Sequence, residues 1–171
     1  MNKKVLSLLA VGAITTSMLS GVVANAATGS KNVEVTYNNQ SVITDPDNPG
    51  APQWQVAIPS GINFAEDKKT ADVSVELQNV DGTSYTGSEI NVDVTVASAN
   101  EYKLKKNSSE VKYEVAYGEK IMSQSEIAVG TLNTSTKKID GLATLGDKEV
   151  ATELGTHTDT LTYTVQKQAE M

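Results

Sequence analysis

Three small sets of residues in this 171-residue chain have the types and spacing to do chemistry. The single histidine, His157, stands two places before Asp159 among Thr156, Thr158 and Thr160, so a hydroxyl nucleophile activated by His157 and oriented by Asp159 is the first arrangement to weigh. Side chains two apart on a strand share a face at roughly 6 to 7 Å, too far for the direct hydrogen bond a triad needs. The expectation is a surface histidine at the start of a strand. Asp45, Asp47 and Asn48 supply the oxygen ligands that a hard cation prefers, yet the twelfth place of a Ca²⁺ loop counted from Asp45 is Val56 and not the required glutamate. A solvated joint is expected there, with no metal. Asp72, Glu76 and Asp93 share the polar parity of their strands and could pair as acid and base for glycoside hydrolysis. Such a pair needs one member raised by burial, and alternation reads all three as the wet face of a sheet. No convergent set of catalytic roles emerges, and neither an enzyme nor a cofactor is expected.

Aromatic residues are the other candidates. Trp54, Tyr102, Tyr113 and Tyr117 could stack sugar rings, but each alternates with polar neighbours on a strand and so belongs to the inward face. Tyr85, within the turn-forming stretch Asp81-Gly82-Thr83-Ser84-Tyr85-Thr86-Gly87-Ser88, is the aromatic expected to be exposed for recognition.

The elements that must position these residues are strands. Val33, Val35 and Tyr37 alternate with Asn32, Glu34 and Thr36, giving an N-terminal strand over 27–44 that runs on through Val42 and Ile43 after a turn at Asn38-Asn39. Pro46, Pro49 and Pro52 then make 45–52 an extended Pro/Asp/Asn-rich joint, because proline cannot donate to a ladder. Beyond it, 53–171 reads as a sandwich domain. Trp54, Val56 and Ile58 alternate, Pro59-Ser60-Gly61 bends the chain, and Ile62 and Phe64 turn back inward. Val73, Val75 and Leu77 form a further strand. Ile90, Val92, Val94 and Val96 give the strongest strand signal, since four β-branched residues in strict alternation make a poor helix. Tyr102 and Leu104 pair with Val111 to Tyr117 as a hairpin, and Leu161, Tyr163 and Val165 close the chain. Between Gly118 and Leu154 the pattern weakens: Ile127 and Val129 suggest a short strand, while Ile139, Leu142 and Leu145 fit a helical turn or an irregular apolar loop. The fold class expected is all-β, a single antiparallel β-sandwich of Ig-like or jelly-roll type.

Composition bounds where such a domain works. Lys3 and Lys4, the apolar run from Val5 to Val23 and Ala24-Asn25-Ala26 have the form of a signal peptide over 1–26, cleaved after Ala26. The chain has no cysteine, so stability rests on burial and sheet hydrogen bonds. Its formal net charge is −7 and it contains no arginine, which argues against nucleic acid and anionic lipid as partners. No second apolar stretch is long enough to span a membrane.

The segments Asp45-Pro46-Asp47-Asn48-Pro49-Gly50 and Val56-Ala57-Ile58-Pro59-Ser60-Gly61-Ile62-Asn63-Phe64 are similar to those of WxL-domain surface proteins of Gram-positive bacteria. The ending Thr158 to Val165 resembles the closing strand of bacterial fibre and adhesin sandwiches. Trp54 is followed by Gln55-Val56 rather than x-Leu, and no binding residue is carried over. The resemblance implies a secreted or cell-surface protein with a structural or adhesive role. The N-terminal strand itself can pair with its own sheet or reach the open sheet edge of a neighbouring copy; in the second case the expected partners are other copies of itself or surface proteins, with Val33, Val35 and Tyr37 as the strand-exchange segment. A monomeric module for a cell-wall or host glycan is the other reading.

Overall fold

A computed structural model describes residues 42–146 and 150–169. The chain divides into two compact units, Met1–Thr36 and Tyr37–Met171, and every described residue belongs to the second. Val33, Val35 and Tyr37, like the leader, lie outside the described residues.

All regular structure among the described residues is β. The first sheet contains β1 (Val42–Thr44), β2 (Gln55–Ala57), β4 (Val75–Gln78) and β10 (Lys138–Ile139), in the order β1-β2-β4-β10. The second has the order β3-β11-β7-β6, from β3 (Thr70–Asp72), β11 (Gly141–Leu145), β7 (Ser109–Tyr117) and β6 (Lys103–Lys106), with β8 (Lys120–Ile121) on β7. The third is β12-β5-β9, from β12 (Leu161–Lys167), β5 (Asn91–Ser98) and β9 (Ala128–Asn133). Every pairing is antiparallel, and the arrangement is that of a β-sandwich.

The alternation written into the sequence is what buries the core. In β5, Val92, Val94 and Val96 are inside while Asn91 and Ala97 are outside, and in β7 Val111, Tyr113, Val115 and Tyr117 alternate with exposed Glu110, Lys112 and Glu114. Burying one such valine contributes about 1.5 to 3 kcal/mol. The buried residues of all three sheets form one cluster. Trp54, Tyr102, Tyr113 and Tyr117 all belong to it, as their parity requires.

Two features depart from the expected arrangement. The Pro/Asp/Asn segment is not a tether with reach: it is the closed loop of a hairpin, because Val42 pairs with Ala57 and Thr44 with Gln55, and the Asp45 amide donates to the Trp54 carbonyl at 3.1 Å. Asp45 is buried there, and its Oδ1 accepts the Asp47 amide at 3.1 Å, an Asx turn that gives the carboxylate a local partner. The weakly patterned region from Gly118 also supplies strands, β8 to β11, where it is regular among the described residues. Ile139, Leu142 and Leu145 are spaced by three, but Ala143 and Leu145 point inward while Leu142 stays 49% exposed. The period is therefore two, and the helical-turn alternative fails.

The run from Thr70 to Gln78 changes sheets. It breaks at Val73-Ser74, and its partner run from Lys138 to Leu145 breaks opposite, at Asp140. Here the Asp72 Oδ1 accepts the Ser74 amide at 2.7 Å, the Gly141 amide donates to Ser74 Oγ at 3.2 Å, and the Val73 amide donates to the Gly141 carbonyl at 3.0 Å. These bonds replace the interrupted ladder, so two paired strands leave the first sheet and enter the second together. At the other end, Glu101 and Tyr102 both sit at φ 59° in the tight turn closed by the Lys103 amide on the Asn100 carbonyl. Two consecutive left-handed non-glycine residues are strained, and they are held by the polar cluster described next.

Candidate functional site

That cluster is centred on Asp159, which precedes β12. Its Oδ2 accepts the Ser98 hydroxyl at 2.6 Å and the Tyr113 hydroxyl at 2.7 Å, and its Oδ1 accepts the Asn100 amide at 3.0 Å and the Thr160 amide at 2.7 Å. Ser98 Oγ in turn accepts the amides of Asn100 at 3.1 Å and Tyr102 at 2.7 Å. One carboxylate thus joins β5, the strained turn, β7 and the start of β12. Asp159 belongs to this cluster and not to His157.

Beside the cluster the core is incompletely covered. The stretch 58–64, bent at Pro59-Ser60-Gly61, faces Leu104, Leu161 and Tyr163 across a groove of about 340 Å³ whose floor includes Tyr113 and whose rim includes Asp159 and Thr160. Ile58, Ile62, Phe64, Leu104, Leu161 and Tyr163 pack against the core but remain half-buried. The Phe64 and Tyr113 rings are 5.9 Å apart and tilted by 53°, and Tyr102 meets Tyr113 edge-on at 5.9 Å. Ile62 and Phe64 therefore do turn inward, but they form a groove wall and are not sealed. Parity marks which face a residue occupies and is silent on whether another element closes over it.

A chain of phenols continues under the groove. The Tyr117 hydroxyl bonds the Val73 carbonyl at 2.9 Å and the Tyr163 hydroxyl at 2.9 Å. Burial above all pushes the Tyr113 and Tyr117 hydroxyls well above the ordinary tyrosine range; the Asp159 hydrogen bond and charge add to this at Tyr113, and the neighbouring Tyr163 adds to it at Tyr117. Tyr163 is pushed up to about 12, again chiefly by burial. A raised phenol stabilises the fold while the unfolded chain keeps its protons, and the advantage is lost as pH rises through the folded value. Resistance to urea is accordingly expected to hold up to about pH 10, the unfolded tyrosine value, and to fall between there and about 12, the folded Tyr163 value. Phenolate absorbance followed through the same range tests this. Ionisation of all six tyrosines near pH 10 in a chain that stays folded would contradict it.

His157 is not the surface residue its sequence context suggested. It is half-buried, and its Nε2 lies 2.7 Å from the Oγ of Ser109, a fully buried residue at the start of β7. The Nδ1 faces the Gly155 carbonyl at 3.0 Å; a carbonyl only accepts, so Nδ1 carries a proton, and in the neutral ring Nε2 accepts from the serine. Ser109 Oγ also accepts the amides of Thr152 at 3.0 Å and Glu153 at 3.3 Å. The contact has the heavy-atom spacing of a nucleophile and its base. Its hydroxyl, however, donates once and accepts twice, which saturates an atom already shut away from solvent. Sequence reading missed Ser109 because only the β6–β7 hairpin brings it beside a segment some forty residues later.

The remaining candidates separate. Tyr85 is a correction: it is 3% exposed and not a recognition aromatic. Its amide donates to the Leu77 carbonyl at 3.4 Å and its hydroxyl to the Ser88 carbonyl at 3.0 Å, folding the loop back over the end of β4. A Cβ at Gly87 would come within 2.5 Å of that hydroxyl, so the glycine makes the ring's place. Asp72, Glu76 and Asp93 stand on three different sheets. Asp72 and Glu76 do share a shallow hollow with Lys138, but hydrogen bonds from Ser74 hold Asp72 below the usual carboxylate range, opposite to what a general acid needs. Asp93 is engaged elsewhere, by Thr131 Oγ1 at 2.6 Å and Gln168 Nε2 at 2.9 Å. Among the described residues no group of three or more His, Asp or Glu side chains gathers as a metal site, and no helix is long and apolar enough to cross a membrane.

Fold and site together define an antiparallel β-sandwich with a half-open apolar groove beside a half-buried carboxylate. No family model matches the chain, and neither does any curated protein. Among solved structures it is similar to a chain of one described as "Chaperone-tip adhesin complex is vital for synergistic activation of CFA/I fimbriae biogenesis", with a TM-score of 0.36 and 13% identity. That match covers 82% of this chain, which spans 40% of the other.

Proposed function

We propose that this chain is exported and works at or near the cell surface as a non-catalytic structural or adhesive component that associates with other copies through its N-terminal strand. The observation that carries the reading is the half-covered groove beside an open sheet edge. Among the described residues β1 is the end strand of its sheet, and the half-buried apolar side chains of 58–64 continue from β2, the strand it pairs with; an end strand of this kind can accept an added one. The signal-like leader and the segments similar to WxL surface proteins support a place outside the cell. The saturated Ser109 hydroxyl and the dispersal of Asp72, Glu76 and Asp93 support a role without catalysis. Because β1 is built into the first sheet, the exchangeable part is 27–41, with Val33, Val35 and Tyr37 as its apolar residues.

The half-exposed rings of Phe64 and Tyr163 beside the polar rim favour a second reading, a monomeric glycan-binding module. Size-exclusion chromatography and electron microscopy of the chain from residue 27 and of the chain from residue 42 separate the two. Assemblies present in the longer form and lost in the shorter are expected. Two identical monomers would sink the first reading, and saturable glycan binding abolished by Phe64→Ala would establish the second.

A further inference from the structure

The end strands of the three sheets are not equally guarded. β1 and β3 are three residues long and β10 two, β6 carries Lys103, Lys105 and Lys106 and is bridged at Lys105 by Thr158, and the pairing of β9 with β5 shifts register at Val94-Thr95. Shortness, lysines and bulges all keep a sheet edge from adding a strand. β12 has none of these guards: from Leu161 to Gln166 it runs without proline, charge or register shift. The Ala99 amide donates to the Thr160 carbonyl and the Gln168 amide to the Asn91 carbonyl, so even-numbered residues face β5, while the amides and carbonyls of Leu161, Tyr163 and Val165 point the other way. Among the described residues β12 pairs with β5 alone, and no strand meets those groups.

The order Leu161-Thr162-Tyr163-Thr164-Val165 reads alike in residue type from either end. An antiparallel copy of it, related by a twofold axis at Tyr163, opposes Leu161 to Val165, Thr162 to Thr164 and Tyr163 to itself, so like meets like throughout. We propose that β12 pairs edge to edge with β12 of a second copy of this chain, joining the three-stranded sheets of two molecules into one continuous sheet. The same register brings Asp159 of each copy alongside Lys167 of the other, opposite charges at both ends of the pairing. Directly opposed residues share a face. The partner copy's Leu161, Tyr163 and Val165 therefore extend the face that borders the groove, where Leu161 and Tyr163 are only half-buried. Exposed Thr162 and Thr164 meet on the outer face, where opposed threonines are favourable. Such a pairing closes at two copies, and it stands on β12 and not on the N-terminal strand proposed above.

The chain has no cysteine, so single cysteines report the register directly. Opposed residues of an antiparallel pair have Cα atoms about 4.5 to 5.5 Å apart, within disulfide reach, whereas diagonal neighbours lie about 7 to 8 Å apart. Thr162 of one copy opposes Thr164 of the other and meets the other Thr162 only on the diagonal. The chain from residue 27 carrying Thr162→Cys, mixed in equal amounts with the same chain carrying Thr164→Cys and oxidised at micromolar concentration, is expected to give mostly covalent dimers on a non-reducing gel. Either variant alone should stay mostly monomeric. Unlinked chains in the mixture would overturn the proposal and leave the edge to another strand. Equal linkage in each variant alone would overturn it as well, since it would show collision without register. Sedimentation supplies a measurement free of cysteine: Thr162→Lys with Thr164→Lys sets lysine opposite lysine and should lower the sedimentation coefficient, and Thr162→Lys with Thr164→Glu should restore it. The same coefficient in both and in the unsubstituted chain would overturn the pairing. Filaments are imaged separately in the doubly lysine-substituted chain, so either idea can fail alone.

Discussion

Replacing half-buried Asp159 by alanine is expected to lower the unfolding free energy by about 3 kcal/mol, because it is a charged acceptor shared by several donors, two of them on buried residues. The carboxylate takes four hydrogen bonds, from the Ser98 and Tyr113 hydroxyls and from the Asn100 and Thr160 amides. Ser98 is 7% and Tyr113 8% exposed, so both hydroxyls would be left facing an apolar interior, with only the groove side open to water. The turn that holds the strained pair Glu101 and Tyr102 would lose one tie as well, the Asn100 amide on Asp159 Oδ1 at 3.0 Å, while the Asn100 and Tyr102 amides keep Ser98 Oγ. For a domain of this size, 3 kcal/mol corresponds to a fall in melting temperature of roughly 10 °C. Urea unfolding of Asp159→Ala, Tyr113→Phe and the double variant checks both size and cause. The double variant should cost clearly less than the sum of the two single changes, since they share a bond. Strict additivity with a loss below about 1 kcal/mol would mean the cluster is a solvated surface contact.

The second large effect is expected at Ser109, where alanine should cost about 2 kcal/mol and act first on one segment. Its hydroxyl is the common partner of the Thr152 amide, the Glu153 amide and His157 Nε2, and removing it leaves all three without it. Thr152 is exposed, so water replaces part of the loss. The stretch from 150 to 157, which has no strand of its own, is tied to β7 through this hydroxyl and to the turn before β7 by Asn107 Nδ2 on Glu153 Oε2 at 2.8 Å, by Ser108 on Glu153 and by Lys106 on the Leu154 carbonyl. In Ser109→Ala it should open before the rest of the domain. Faster hydrogen exchange at the Thr152 and Glu153 amides, together with early protease cleavage in this segment, is the expected signature. His157→Ala should have the same character and cost about 1 kcal/mol, the usual worth of one hydrogen bond. An unchanged urea midpoint in Ser109→Ala would show that the serine does not hold the segment.

Both effects concern how 150–160 is fastened, and both bear on function. Asp159 and His157, two apart in sequence and readable as parts of one catalytic triad, are pulled by tertiary structure into two separate fastenings. Asp159 also forms the rim of the groove. Loosening it would disturb the wall built by Leu161 and Tyr163, so the stability variants should precede any reading of assembly or glycan data from this face.

What the amino-acid order determined by itself was the class of fold and the side on which most residues lie. Strict alternation of β-branched and aromatic residues leaves little choice but strands, and it placed Val92, Val94, Val96, Tyr113, Val115 and Tyr117 inside and their neighbours outside. It did so because the side-chain period of a strand is local, needing no knowledge of what packs on it. The tertiary structure alone decided three further things. It closed 45–52 into a hairpin loop, since pairing of Val42 with Ala57 is long-range and three prolines resemble a tether until the flanking strands meet. It buried Tyr85, because a loop residue has no period to show that Gly87 leaves room for its ring. And it left Ile58, Ile62, Phe64 and Tyr163 half-covered along one groove, because parity assigns a face while burial depends on which distant element, or which other segment, arrives to cover it.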